Sequence, residues 1–200
     1  MADGDDDLEI LPLTAERFAD LAALFGQGGD AKLCWCSWFR LRNVDFRTAT
    51  LESNRGVLEQ ALETTAAAGR APGLVAYRDG EAIGWVSLGP RDDYERLQHS
   101  KVLAPIDAQP VWSIVCFVVS RQARGQGVAR ALLQAAIDYA REHGARLLEG
   151  YPVETDGGRV PAAQAYRGTL GMFERAGFGV AERRRANRVS APRPIVRRDV

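Results

Sequence analysis

The sequence predicts an α/β fold in which a mixed, mostly antiparallel sheet is flanked by helices. Three observations predict it. A β-hairpin pattern lies at residues 74–88, a strongly apolar strand covers residues 111–119, and an amphipathic helical pattern covers residues 128–143. Because the hydrophobic period changes from strand to helix along the chain, we expect these segments to pack as layers around one sheet.

The N-terminal segments predict one strand and two helices. Residues 8–13 alternate loosely between apolar and polar and indicate a first strand. Thr14 is expected to cap a helix whose apolar face ends at Phe25, because glycines follow at positions 26, 28 and 29. A longer helix is predicted at residues 51–68, closed by Gly69.

The hairpin pattern is followed by less regular sequence. Its strands, residues 74–77 and 82–88, are joined by the turn Arg78-Asp79-Gly80. Gly89 and Pro90 end the second strand, and the polar residues 92–101 predict a short helix or a loop.

The C-terminal quarter alternates short strands, a loop and a short helix. The predicted segments are a strand at 146–151, a loop at 154–165, a helix at 169–176 and strands at 177–184 and 189–200. Pro192 and Pro194 lack a backbone N–H, so the last strand is expected at an edge of the sheet.

The composition is that of a soluble, single-domain protein. The chain has 200 residues, 46% of them hydrophobic, which suits one domain with its own core. The longest apolar run, residues 111–119, is too short to span a membrane. Residues 1–7 are acidic, lack the order of a signal peptide and are expected to form a disordered tail. The prediction is therefore a cytoplasmic protein without membrane contact.

Neither the basic C-terminus nor the cysteines indicate a separate function. Arginines are dense from Arg183 onward, but lysine is rare everywhere, so a general preference for arginine explains the cluster better than nucleic-acid binding. Cys34 and Cys36 are separated by one residue, which is unlike the usual spacing of zinc ligands. We predict no metal site and interpret these thiols and Cys116 as buried and reduced.

The most informative stretch is residues 118–129, where a buried strand runs into a loop rich in arginine and glycine and then into the long helix. The first turn of a helix has unpaired N–H groups, and its dipole favours negative charge. Gly125 and Gly127 let the backbone approach an oxygen-rich group closely. The arrangement predicts a phosphate or pyrophosphate site. A Walker loop is excluded because its Gly-Lys-Ser/Thr is absent. The dinucleotide fingerprint is excluded because Ala129 and Arg130 follow Gly127 where a third glycine would be needed.

The stretch Arg124-Gly125-Gln126-Gly127-Val128-Ala129 closely resembles the Arg/Gln-x-x-Gly-x-Gly/Ala signature of the GCN5-related N-acetyltransferase (GNAT) superfamily. The resemblance extends upstream to Phe117-Val118-Val119 and downstream to residues 172–178, which look like the family's helix-to-strand element ending in Gly-Phe. It implies one N-acetyltransferase domain over residues 1–200. Its parts would be a variable acceptor side (8–72), an acetyl-CoA-binding core (73–184) and a C-terminal strand or tail (185–200).

The resemblance also implies where the cosubstrate, acetyl-CoA, would bind. The backbone N–H groups of the signature, Arg124, Gly125, Gln126, Gly127, Val128 and Ala129, would hold the pyrophosphate of coenzyme A. Phe117, Val118 and Val119 would form the strand beside the pantetheine arm, with backbone hydrogen bonds from the first and last of them. An N–H near Val119 would polarise the thioester carbonyl. Phe173 would lie along the other side of the cofactor.

The residue that acts as acid departs from the family pattern. The family commonly uses a Tyr four residues before the Gly of Gly-Phe, and this sequence has Phe173 there. A frequent Asn seven residues earlier is Tyr166. Tyr166 and Tyr151 are candidate acids for the leaving thiolate, and water is a third. Glu149 shares a strand face with Tyr151 and is the candidate base, with an ion pair as its alternative role.

The acceptor is expected to be the amine of a small molecule that attacks acetyl-CoA directly in a ternary complex, with protein acetylation as a variant. A catalytically inactive acyl-CoA-binding sensor is the alternative function, because the usual Tyr is absent. The aromatic residues 34–39 form either a wall of the acceptor pocket or part of the core. Acidic residues on nearby loops (Asp92, Asp93, Glu154) would suit a cationic amine. The resemblance implies a homodimer only as a family-level expectation.

Overall fold

The structure, a computed structural model, describes residues 8–155 and 166–200. Seven strands form one sheet: β1 (Glu9–Pro12), β2 (Gly73–Arg78), β3 (Glu81–Pro90), β4 (Trp112–Val119), β5 (Leu147–Gly150), β6 (Gly179–Arg184) and β7 (Arg193–Asp199). The helices are α1 (Phe18–Gly26), α2 (Ala31–Cys34), α3 (Ser37–Arg40), α4 (Asn43–Thr48), α5 (Leu51–Ala67), α6 (Glu95–His99), α7 (Val128–Glu142) and α8 (Leu170–Arg175). The predicted tail 1–7 and most of the predicted loop 154–165 lie outside the described residues.

The strands lie in the order β1-β2-β3-β4-β5-β7-β6. Neighbours are antiparallel except for β4 and β5, which are parallel. The hairpin prediction is confirmed, since β2 and β3 pair and Asp79 and Gly80 both have positive φ angles in the turn between them. The predicted fold class, a mostly antiparallel mixed sheet flanked by helices, is confirmed.

The two faces of the sheet carry separate hydrophobic cores because strand side chains alternate. On one face, α7 packs its apolar side, including Leu132, Leu133 and Ile137, against the sheet, and Phe173 of α8 joins the same core. On the other face, the N-terminal helices bury an aromatic-rich core that includes Trp35 and Trp85. α7 therefore has a fixed position, and its N-terminus lies just beyond the end of β4.

β4 and β5 separate partway along the sheet. Their pairing covers only three positions and ends at Ile114 opposite Gly150. β4 continues to Val119, paired with β3 on its other side. The edge of β4 beyond Ile114 consequently has no strand beside it among the described residues, and a gap opens in the middle of the sheet.

Gly150 lies where this gap begins, and it has no room for a side chain. A Cβ there would lie 2.4 Å from Cε1 of Phe173, whose ring is fully buried. Gly150→Ala is therefore expected to lower the free energy of unfolding by about 1–3 kcal/mol, measured by urea denaturation. Gly26→Ala is the matched control, because nothing lies within 4 Å of a Cβ at that helical position. Equal stability of the two variants would contradict the close packing of Phe173 on Gly150.

Two predictions about the elements were wrong. Thr14 does not cap α1, which begins four residues later at Phe18, because residues 15–17 form a turn first. The last strand is not at an edge, since β7 lies between β5 and β6. Pro194 is tolerated there because β5 pairs only with the region from Val196 onward, so no ladder hydrogen bond is required of the proline on that side.

The polar residues 92–101 were predicted to form either a short helix or a loop, and the structure shows a short helix. A 3-10 turn at Arg91–Asp93 leads into α6.

Within the part of the chain that the structure describes, none of the helices has the length and apolar character needed to span a membrane.

Candidate active site

The loop between β4 and α7 has the geometry predicted for an anion site. It contains a 3-10 turn at Arg121–Ala123, and Gly125 and Gly127 have φ angles of +79° and +83°. Only glycine adopts such angles readily, so both glycines are needed for the loop's path. Gly127 occupies the N-cap of α7, and no side chain caps the helix.

Backbone N–H groups of this loop are available to a ligand. Within the described ranges, no protein acceptor pairs with the N–H groups of Gly125, Gly127, Val128 or Ala129. The loop is held in place from both sides: the side chain of Gln126 donates to the carbonyl of Gln122 at 2.7 Å and accepts from Arg78 at 2.5 Å. The structure thus gathers fixed donors at the positive end of a 15-residue helix.

A depression of about 500 Å³ adjoins the loop. It is lined by Gly125, Gln126, Gly127, Arg130, Thr169, Met172 and Arg175. Arg130, Thr169 and Arg175 were not predicted as site residues. Arg130 could have been predicted from the sequence, because it lies in the first turn of the helix that follows the glycine loop. Nothing in the sequence indicated Arg175, because α8 approaches the loop only through the tertiary fold.

The open edge of β4 presents backbone groups of Phe117 and Val119. The N–H of Ser120 donates to the carbonyl of Ile83 on the β3 side. Because backbone groups alternate between the two edges of a strand, Val118 also faces β3, while Phe117 and Val119 face the gap. The side chain of Arg124 donates to the carbonyl of Val119 at 3.3 Å, which ties the loop to this edge.

Phe173 is a core residue beside the gap. Its ring is fully buried, 6.2 Å from the Phe117 ring and 5.0 Å from the Phe178 ring, measured between centroids. Thr169 caps its short helix by accepting from the N–H of Met172 at 3.2 Å. Phe173 therefore packs against Phe117 of β4, beside the unpaired part of that strand.

Glu149 lies in a buried ionic network. Its side chain is fully buried; Oε1 accepts from Arg91 and Oε2 accepts from Nε of Arg197 at 2.8 Å. Arg197 also binds Asp107 through two hydrogen bonds, at 2.6 and 3.1 Å. The carboxylate is thus bound on both oxygens by guanidinium groups.

Tyr151 belongs to the same network. Its hydroxyl donates to Glu149 at 2.6 Å, accepts from Arg91 at 2.6 Å and lies 2.9 Å from the hydroxyl of Ser113. Burial raises the pKa of Tyr151, and the nearby Glu149 charge adds to this effect. Glu149 and Tyr151 are brought together as the sequence predicted, but both are only about 0–1% exposed.

Tyr166 has a different environment, next to the aromatic segment predicted at residues 34–39. Its ring centroid lies 6.3 Å from that of Trp38 and 6.3 Å from that of Phe39. Burial raises the pKa of Tyr166, and the neighbouring Arg167 opposes the shift. The Phe39 ring lies 6.4 Å, between centroids, from the ring of Tyr151, the residue that follows Gly150 at the gap. Tyr166 is therefore a partly exposed phenol near the gap.

Part of the aromatic segment belongs to the core, and its role as a wall of an acceptor pocket stays a prediction. Trp35 is core, with its ring 5.3 Å from that of Phe25. Trp38 is only half-buried and faces Tyr166.

Cys36 and Cys116 are buried with their sulfur atoms 3.0 Å apart, and Cys34 is half-buried. The contact with Cys36, together with burial, raises the pKa of Cys116. Burial raises the pKa of Cys34 to about 12. Cys34 and Cys116 are therefore protonated at neutral pH and are weak nucleophiles. Among the described residues no group of three or more potential ligands could hold a metal ion.

The loop carboxylates considered for binding an amine are engaged elsewhere. Asp93 binds Arg70 at 2.6 and 3.0 Å, and Glu154 binds Arg183 at 3.0 Å. Asp92 accepts from Gln98 at 3.1 Å. None of these three is shown beside Tyr166.

Comparisons with known proteins agree with this geometry. The sequence model of the acetyltransferase (GNAT) family matches residues 35–178. None of the curated proteins compared with the chain matches it.

Several solved structures share the fold. A ribosomal-protein-alanine N-acetyltransferase from Brucella melitensis is 24% identical, with a TM-score of 0.57 over 96% of this chain and 99% of that one. A GNAT acetyltransferase from Streptococcus pneumoniae is 17% identical, with a TM-score of 0.57 over 97% and 99%. A GCN5-related N-acetyltransferase from Kribbella flavida is 17% identical, with a TM-score of 0.56 over 98% and 99%. At these identities the likeness concerns the fold alone.

Proposed function

Because the chain belongs to the acetyltransferase (GNAT) family, we propose that it transfers the acetyl group of acetyl-CoA to the amine of a small molecule, by direct attack in a ternary complex. One observation supports the proposal most directly. The open edge of β4 leads into a loop in which the N–H groups of Gly125, Gly127, Val128 and Ala129 have no acceptor within residues 8–155 and 166–200. A ligand with an amide-containing arm followed by a pyrophosphate would therefore find matching contacts on the strand edge and then on the loop.

The loop fits the diphosphate end of such a ligand. The N–H groups of Gly125, Gly127, Val128 and Ala129 are available, and α7 adds its positive end. Arg130 and Arg175 line the adjoining depression and supply positive charge for further phosphate oxygens. We assign Arg124 a bracing role, because its side chain binds the carbonyl of Val119.

The β4 edge fits the arm and the thioester. Phe117 presents its N–H and C=O groups to the gap, and Val119 presents its N–H, while the Val119 carbonyl accepts from Arg124. An N–H donor at Val119 would stabilise the negative charge that develops on the thioester oxygen. Val118 and Phe173 contribute through packing, since the backbone of Val118 faces β3 and Phe173 is buried.

We assign the acid role to Tyr166. Its hydroxyl is not tied into the ionic network, it lies near the gap, and its raised pKa keeps it protonated at neutral pH. Tyr151 and Glu149 are held by one another and by Arg91, so we assign both a positioning role at the gap's edge. The attacking amine would then lose its proton to water.

The alternative, an acyl-CoA-binding sensor without turnover, rests on the buried Phe173 at the family's usual Tyr position. A sensor of this kind would bind acetyl-CoA through the same contacts but would not transfer the acetyl group. Acetyl-CoA binding without acetylation of any amine would favour it. The cytoplasmic location, the homodimer and the subdivision of the single domain stay predictions.

The test of the proposed site is Gly127→Asp. The added carboxylate would occupy the helix N-cap and repel phosphate, so the Kd for acetyl-CoA is expected to rise by about 100-fold or more, measured by calorimetry. Asp is among the residues that best tolerate a positive φ.

Gly144→Asp is the matched control, because Gly144 follows the C-terminal end of the same helix with a φ of +81°. It introduces the same charge and a comparable backbone strain, and it should leave the Kd unchanged. Equal weakening by both variants, or no binding to the unmodified protein, would overturn the assignment of this loop.

A further inference from the structure

Arg96, on α6, is a buried guanidinium beside the aromatic cluster of the site. The residue is 7% exposed, and its Cζ lies 4.1 Å from the centre of the Trp38 ring. The centroids of the Trp38 and Tyr166 rings lie 6.3 Å apart. Burial lowers the pKa of Arg96, and the neighbouring Tyr166 counteracts this. Arg96 therefore lies on the same side of the sheet as the proposed acid.

The hydrogen bonds of Arg96 go to neutral groups. Nε donates to the carbonyl of Trp38, and Nη1 donates to the side-chain oxygen of Asn43 at 3.2 Å. Nη2 is buried and has no acceptor within residues 8–155 and 166–200. In the same ranges no carboxylate lies within salt-bridge distance of the guanidinium. A desolvated charge with no counterion among the described residues is costly to keep, and a bound anion would offset that cost.

The surroundings add positive charge. Arg167 is 6% exposed, and its Cζ lies 5.9 Å from the centre of the Tyr166 ring. Two acidic candidates from the sequence, Asp93 and Glu154, bind other arginines. Within the described residues, the charged side chain shown against the Tyr166 ring is thus an arginine, not a carboxylate.

We propose that the acetyl acceptor is an amine that also carries an oxyanion, either a carboxylate or a phosphoryl group, and that Arg96 binds this oxyanion. The inference rests on the proposed function, because it places the acceptor in the same site as acetyl-CoA. Nη2 would donate to the oxyanion while Trp38 holds the guanidinium plane, and this contact would direct the amine toward the thioester. It replaces the expectation of acidic groups around a cationic amine.

The test uses three matched sets of acceptors with acetyl-CoA: free L-amino acids, the corresponding amino acid amides, and aminoalkylphosphonates. Release of the coenzyme A thiol is followed, and binding of the same compounds is measured by calorimetry in the presence of coenzyme A. At least one oxyanion set is expected to exceed the amides by about 100-fold in kcat/KM. A higher kcat/KM for the amino acids would indicate a carboxylate as the oxyanion, and a higher kcat/KM for the phosphonates would indicate a phosphoryl group.

Arg96→Gln is expected to raise KM for the preferred compounds by about 10- to 100-fold, with a smaller change in kcat, and to erase the preference over amides. Arg47→Gln, the same change at an exposed position on α4, is the matched control and should leave the preference intact.

Equal use or equal binding of amides and oxyanion compounds by the unmodified protein would overturn the inference, and this comparison does not depend on the folding of a variant. Titration with acetyl-CoA alone separates the two proposals. Binding of acetyl-CoA without discrimination among acceptors removes only the acceptor class, whereas no binding of acetyl-CoA removes the proposed function.

Discussion

Glu149→Ala is expected to lower the free energy of unfolding by about 3–5 kcal/mol, since removing one partner of a buried ion pair leaves uncompensated charge. Glu149 is fully buried and binds Arg91 and Arg197 at the same time. The variant would leave both guanidiniums facing a cavity, and Tyr151 would lose its acceptor. Equilibrium denaturation in urea, with the slope checked for two-state behaviour, measures the change.

Glu59→Ala serves as the control for this prediction. Glu59 also pairs with an arginine, Arg55, but both side chains are about half exposed on the surface of α5. Its removal should change stability by no more than about 0.5 kcal/mol. If Glu149→Ala were as mild, the network would have to be interpreted as a solvated cluster, and Glu149 would again be a candidate base.

Tyr166→Phe is expected to reduce kcat by about 100-fold while leaving the Kd for acetyl-CoA nearly unchanged. The phenol would no longer protonate the leaving thiolate, but the ring would keep its contacts with Trp38 and Phe39. Release of the coenzyme A thiol at saturating acceptor measures kcat, and calorimetry measures the Kd.

Tyr139→Phe is the matched control, because Tyr139 is also a largely buried phenol and its hydroxyl accepts from the N–H of Ala71 at 2.7 Å, remote from the gap. It should affect stability and not kcat. A kcat retained in Tyr166→Phe would assign protonation to water and leave Tyr166 a packing role.

Local sequence signals predicted the fold well. The hairpin, the long helix α7 and the loop glycines follow from turn residues, apolar period and the need for positive φ, all of which act over a few residues. The position of β7 could not be derived in that way, because proline's restriction depends on which neighbouring strand reaches it.

The site was less predictable because its key contacts are distant in sequence. Glu149 is 58 residues from Arg91 and 48 from Arg197, so neither partner could be chosen from the sequence. The same holds for Arg96, whose distance from its acceptor on Trp38 is 58 residues. By contrast, Glu149 on β5 and Tyr151, one residue beyond its end, are two residues apart, and their proximity followed from the alternation of side chains in extended backbone.

The incomplete pairing of β4 has a consequence for the protein's behaviour in the cell. Among the described residues, the part of β4 beyond Ile114 has no strand beside it, and an unpaired strand edge can pair with a strand from another polypeptide, which is a route to aggregation. Acetyl-CoA in the gap would cover this edge. On the proposed function, bound acetyl-CoA would therefore lower the tendency of the purified protein to aggregate.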